Sequence, residues 1–118
     1  MRTFTVSCQV GDLAGEQFIE LEALVDTGAA YTCVPRNILT ELGVEMLERR
    51  RFELADDRVV EYEIGQARIR LEDRELIEVV VFVSEDTSPL IGATTLESFG
   101  LGVVPVAGQL VPVNALPK

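Results

Sequence analysis

Histidine is absent from all 118 residues. That one gap removes Ser-His-Asp and Cys-His catalysis, the usual general base and the commonest metal ligand together. Lysine occurs once, as Lys118, so a buried Schiff-base amine or a phosphate-loop lysine has no candidate. Cysteine is confined to Cys8 and Cys33, too few for an all-thiolate zinc site. Both lie in strand-like segments and read as buried small hydrophobes, with a disulfide open but not required. No calcium loop is visible either, since Glu16, Glu20 and Glu22 read as the polar positions of a strand. No metal and no other cofactor is therefore expected.

Positive charge is also scarce. Ten basic residues against 20 acidic ones give a net charge of −10, which argues against a nucleic-acid partner. The basic run Arg49-Arg50-Arg51 is flanked by Glu48 and Glu53 and reads as a solvated strand or turn. Long apolar runs are missing too. Met1 to Thr5 alternates apolar with polar residues, so neither a signal peptide nor a membrane span is expected, and a cytoplasmic location is the default expectation.

What is present is a 47% hydrophobic chain, enough for one core and a single domain over residues 1–118. Period-two alternation marks strands from Phe4 to Val10 and from Ile19 to Val25. A short strand, Tyr31 to Val34, precedes a helix over Pro35 to Leu42 that Gly43 ends. Met46 to Ala55 and Val59 to Ile64 read as hairpin arms around Asp56-Asp57-Arg58. Ala67, Ile69 and Leu71 alternate again, and Leu76 to Val83 reads as a central strand buried on both faces. Thr94 and Glu97 have capping-box spacing for a short helix ending at Gly100, and Val103-Val104 with Gln109 to Val111 forms a last strand pair. The sum is a mainly β chain with two short helices, best closed as a barrel.

With the other catalytic side chains gone, carboxylates are the place to look for chemistry. The segment Asp26-Thr27-Gly28-Ala29 follows a strand directly and precedes another, as a carboxylate presented on a tight turn requires. A short Asp-X-Gly match taken alone is more often an ordinary turn. Its context adds the strand Leu21 to Val25, the downstream hairpin, and Pro89-Leu90-Ile91-Gly92 before a short helix. Together, from about Phe4 to Val111, these resemble the retroviral proteases and their cellular and prokaryotic single-domain relatives, the retropepsin-like aspartic proteases.

The resemblance implies that Asp26 is the catalytic aspartate, that Thr27 hydrogen-bonds across a dimer axis, and that Gly28 leaves room for substrate backbone. It implies peptide-binding roles for Leu24, Ala29, Cys33, Ser88 and Leu90, and a flap at Phe52 to Ile64 whose tip carries Asp56 and Asp57. The pattern departs from viral members at Ala30-Tyr31, where they carry two acidic residues, and at Ala93-Thr94, where they carry Arg-Asn. These losses are coupled, because an acid of the first pair binds that arginine. A glycine-rich flap tip is missing as well.

Aspartic proteolysis needs two carboxylates sharing a proton, and the chain offers one such motif. A twofold homodimer acting on peptide or protein is therefore expected, with terminal strands near Thr3 to Val6 and Leu110 to Val113 as its seam. Two readings stay beside it: a dimer of the same fold that binds peptide or scaffolds an assembly without cutting, and a monomeric β-barrel carrier with an incidental Asp-Thr-Gly.

Overall fold

Alternating side chains along most of the sequence set up strands with one face turned inward, and the way those strands pair decides where Asp26 stands. A computed structural model describes residues 4–104 and 106–113. The elements in chain order are β1 (Thr5–Gly11), β2 (Phe18–Val25), β3 (Thr32–Pro35), α1 (Arg36–Glu41), β4 (Glu48–Glu53), β5 (Val59–Leu71), β6 (Arg74–Val83), β7 (Leu90–Ile91), α2 (Ala93–Ser98), β8 (Leu101–Val104) and β9 (Gln109–Pro112). Seven strands form one sheet in the order β1-β2-β7-β3-β6-β5-β4, and β1 also pairs with β5. All but β4 thus close into a ring, the barrel expected from the sequence. Strands β8 and β9 form a separate pair. Among the described residues no helix is long and apolar enough to cross a membrane.

The inward parity fills the ring. Cys8 and Val10 of β1, Ala23 and Val25 of β2, Ala67, Ile69 and Leu71 of β5, and Val80 and Phe82 of β6 pack with Leu39 and Leu42 from the first helical segment and Leu96 and Phe99 from the second. Burial of side chains this size stabilises by about 1.5–3 kcal/mol each for the larger ones. Helix α1 stops where Gly43 turns to φ +72°, a left-handed conformation that favours glycine. A second, smaller cluster of Ile64, Val81 and Val83 lies outside the ring, covered by Tyr31, Cys33, Phe52, Tyr62 and Val79.

Three sequence expectations are corrected. The arm ending at Ile64 and the alternation from Ala67 are one strand, β5, because its first half pairs with β4 and its second half with β6, Gly65 and Gln66 being paired to Val80 and Val79. The central strand is buried on both faces only near its end. β3 reaches β6 from Val80 onward, so Ile77 is left 45% exposed. The capping box at Thr94 does not form: α2 begins at Ala93, with Gly92 as its N-cap and no side-chain cap. Its first amides donate instead to the loop after β2, Ala93 N–H to the Ala29 carbonyl (2.8 Å) and Thr94 N–H to the Ala30 carbonyl (3.0 Å). Those carbonyls satisfy donors that a helix leaves unpaired at its start.

Candidate active site

Asp26 is the residue immediately after β2, and its backbone is fixed from two directions. β2 runs parallel to β7, with Leu24 opposite Leu90 and Val25 opposite Ile91. The pairing continues one residue further, where Asp26 N–H donates to the Ile91 carbonyl at 3.0 Å. The loop then turns back on itself, Ala29 N–H reaching the Asp26 carbonyl at 3.2 Å, before its next two carbonyls meet the start of α2. Within the turn Gly28 N–H donates to Asp26 Oδ1 at 2.9 Å, a charge-assisted bond that orients the carboxylate. Asp26 and Ala29 are half-buried, whereas Thr27 and Gly28 are exposed.

The chain passes very close behind this loop. A Cβ at Gly92 would lie 2.5 Å from the Tyr31 carbonyl carbon and oxygen, so only glycine fits there. Gly92 N–H donates to Thr32 Oγ1 at 3.2 Å, and Thr32 Oγ1 lies 2.6 Å from Thr95 Oγ1. Both threonines are buried, as is Glu78 beside them, whose carboxyl has the hydroxyls of Ser98 and Thr95 as polar partners. Burial raises the Glu78 pKa above the ordinary 4.5, and the two hydroxyls offset part of that rise.

Of the peptide-binding candidates, three come together. Leu24 pairs with Leu90 and Leu90 with Cys33, so their side chains share one half-buried row beside the Asp26 loop, continued by Val81 opposite Cys33. The Cys33 thiol is pushed up to about 11 by burial and, secondarily, by the negative charge of Asp26; it stays protonated at neutral pH and is no nucleophile. Both cysteines are free thiols. Asp56 and Asp57 lie on the exposed hairpin turn, and Ser88 is exposed two residues before Leu90. The Asp56 carboxylate is engaged inside the hairpin tip, accepting from Arg58 N–H at 3.2 Å and pairing with Arg58 Nε at 2.7 Å.

Sequence reasoning missed an aromatic set that joins the hairpin to the loop. Phe52 of β4 meets Tyr31 edge-on with ring centroids 5.9 Å apart, and Tyr62 at 5.7 Å. Arg50 Nη1 donates to the Tyr31 hydroxyl at 3.1 Å and its Nη2 to Glu48 Oε1 at 2.5 Å. The available signal was parity: Arg50, Phe52 and Tyr62 occupy one face of the hairpin, since Arg50 pairs with Tyr62 and Phe52 with Val60. Glu78 was missed as well, although it shares the inward parity of Val80 and Phe82.

Among the described residues no three His, Cys, Asp or Glu side chains gather to hold a metal ion. A surface depression bordered by Ser7, Glu20, Leu71 and Glu75 includes no residue of the 26–31 loop. What the loop offers chemically is a backbone-braced carboxylate on an exposed rim, with an apolar row on one flank and an aromatic-faced hairpin above.

No curated protein matches the sequence. Among solved structures, EIAV protease complexed with the inhibitor HBY-793 matches with a TM-score of 0.55 and 18% identity, over 88% of this chain and 93% of that one. The solution structure of simian foamy virus (mac) protease matches with a TM-score of 0.58 and 14% identity, over 81% and 94%. At such identities these likenesses bear on the fold, which is that of the retroviral proteases. The family model described as "gag-polyprotein putative aspartyl protease" matches residues 14–98, a stretch that includes the Asp26 loop, the hairpin, β7 and α2, and the chain belongs to that aspartyl protease family.

Proposed function

We propose that this chain is a single-domain aspartic endopeptidase that works as a twofold homodimer, Asp26 of each protomer supplying half of the catalytic pair. The observation that carries the reading is the bracing of Asp26. Its amide is held by β7, its carboxylate by Gly28 N–H and its loop carbonyls by α2, while Thr27 and Gly28 remain on the exposed rim. A lone carboxylate cannot both take and give a proton in one step. Two at about 3 Å cannot both ionise cheaply, so the pair holds one proton between them. The ionised member takes a proton from water as the water oxygen bonds to the scissile carbonyl carbon. The protonated member gives its proton to the carbonyl oxygen. Collapse of the tetrahedral diol breaks the C–N bond as one diol hydroxyl returns its proton to the ionised member and the leaving amine takes a proton from the protonated member, so the pair again holds one.

Substrate would lie extended between the loops and the flaps, with Leu24, Cys33 and Leu90 against its side chains. Thr27 would join the loops across the axis. Half-buried Leu110 and 51%-exposed Val113 belong to the seam, together with the segment from Phe4 to Val6; Thr3 lies outside the described residues. A second reading draws on the hairpin tip. Asp56 and Arg58 lock it where a mobile tip would aid closure, which favours a dimer that binds peptide without cutting it.

The test is cleavage of a diverse peptide library from about pH 3.5 to about pH 7.5, with wild type and Asp26→Asn held above the dimer dissociation constant. Cleavage lost in the variant supports the shared pair. A folded dimer that binds peptides and cuts none supports the second reading, and a monomer sinks both.

A further inference from the structure

Glu78 is 6% exposed, Thr32 2% and Thr95 1%, and these are the buried polar side chains of the described core. A carboxyl is costly to bury unless its hydrogen-bonding capacity is used, and here its partners among the described residues are two hydroxyls. The cationic side chain of β6 that reaches α2 is Arg74, and its Nη1 donates to the Phe99 carbonyl at 2.5 Å. Ala67 of β5 is the residue paired to Glu78.

One direction of hydroxyl protons links these groups. The Ser98 hydroxyl, exposed on α2, lies 3.0 Å from the Thr94 carbonyl to which it donates, and it also favours the charged form of Glu78 as a hydrogen-bond partner. Glu78 accepts from Thr95, with Ser98 as a second hydroxyl partner. Thr95, its own proton given to Glu78, accepts from Thr32 across the 2.6 Å contact, and Thr32 accepts the Gly92 amide. The chain of bonds runs Gly92 to Thr32 to Thr95 to Glu78 to Ser98, and Gly92 adjoins Ile91, whose carbonyl holds the Asp26 amide.

We propose that Glu78 is a positioning residue: from the floor of α2 it anchors the hydrogen-bond chain that holds Gly92, and through it the backbone of the Asp26 loop, in working geometry. The proposal rests on the protease reading for its catalytic consequence. It also accounts for the missing acid–arginine pair. With Ala30 and Ala93 at those positions, side chains cannot tie loop to helix, so the tie runs through backbone carbonyls above and through this buried chain below.

The test compares wild type, Glu78→Gln, Glu78→Leu and Thr95→Val in the full chain, by amide hydrogen exchange and by kcat and KM on a peptide the wild type cleaves. Glutamine keeps a side-chain oxygen to accept from Thr95, whereas leucine keeps none; Thr95→Val cuts the chain at its middle and serves if Glu78→Leu does not fold. Glu78→Leu and Thr95→Val should each exchange the amides of Asp26 and Gly92 to Thr94 at least about tenfold faster, with β1–β2 amides unchanged. Both should lose about tenfold in kcat with KM within about twofold, and Glu78→Gln should retain wild-type values for exchange and turnover alike. Unchanged exchange in both disruptive variants overturns the anchor, as does a Glu78→Gln protein as loose as Glu78→Leu. Faster exchange with unaltered kcat overturns the positioning role. If the wild type cuts nothing, the protease reading fails on that result while the exchange data alone decide the anchor.

Discussion

At the scale of single residues, the carboxyl groups divide by environment. Asp26 stands on an exposed rim with an amide on one oxygen, and Glu78 sits in the floor behind it with hydroxyls for company. Burial raises the pKa of Glu78 in the fold above its unfolded value, so the native state binds that proton more tightly than the unfolded chain does. Its contribution is fully present below the ordinary carboxyl pKa of 4.5 and is lost as pH rises through the higher folded value. Urea unfolding followed across this window should therefore show wild-type stability declining with pH relative to Glu78→Gln, which has no proton to lose. Parallel curves would remove the buried-acid assignment. Asp26 was legible in the sequence because its signal is contiguous: an apolar strand, an aspartate, a glycine. Glu78 was not, because an acid inside a β-branched run declares itself only once Thr95 and Ser98, far along the chain, are known to face it.

Elements that pair with near neighbours were read well, and those defined by distant partners were not. The barrel strands and the end of α1 follow from alternation and from Gly43. The start of α2 follows from carbonyls of the 29–30 segment, which no local pattern around Thr94 encodes, and the uneven burial of β6 follows from where β3 happens to begin. The hairpin of β4 and β5 is the element where position and chemistry meet. Phe52 is its link to Tyr31, and aromatic pairs of this geometry add about 0.5–1.5 kcal/mol beyond their buried area. Phe52→Ala should lower unfolding free energy by about 2 kcal/mol, less than the full cost of a deeply buried ring because Phe52 is only half-buried. On the protease reading it should also raise KM severalfold while kcat changes less, since the hairpin loses its hold near the loop. Denaturant titration and steady-state kinetics on the same preparation check both; an unchanged KM would show that Tyr31 and Phe52 do not govern hairpin closure.

For the whole molecule, charge and topology set the terms. Each chain carries −10, so on the homodimer reading dimerisation would bring two strongly acidic bodies together, and the repulsion would fall as salt shortens the Debye length from about 30 Å at 0.01 M to about 10 Å at 0.1 M. Sedimentation over that range should show the dimer tightening severalfold with added salt. A dimer that weakens instead would point to an interface built on ion pairs and away from the apolar seam around Val113. The two-residue strand β7 has a consequence for how the protein comes into being. It is wedged between β2 and β3, strands that are close in sequence to each other and far upstream of it, and the Asp26 loop lacks its long-range braces until Ile91 and the start of α2 arrive. During synthesis the loop therefore leaves the ribosome long before the segment that shapes it, and an unfinished chain carries the aspartate without its setting. On the protease reading, hydrolytic competence would then be withheld from nascent fragments by topology.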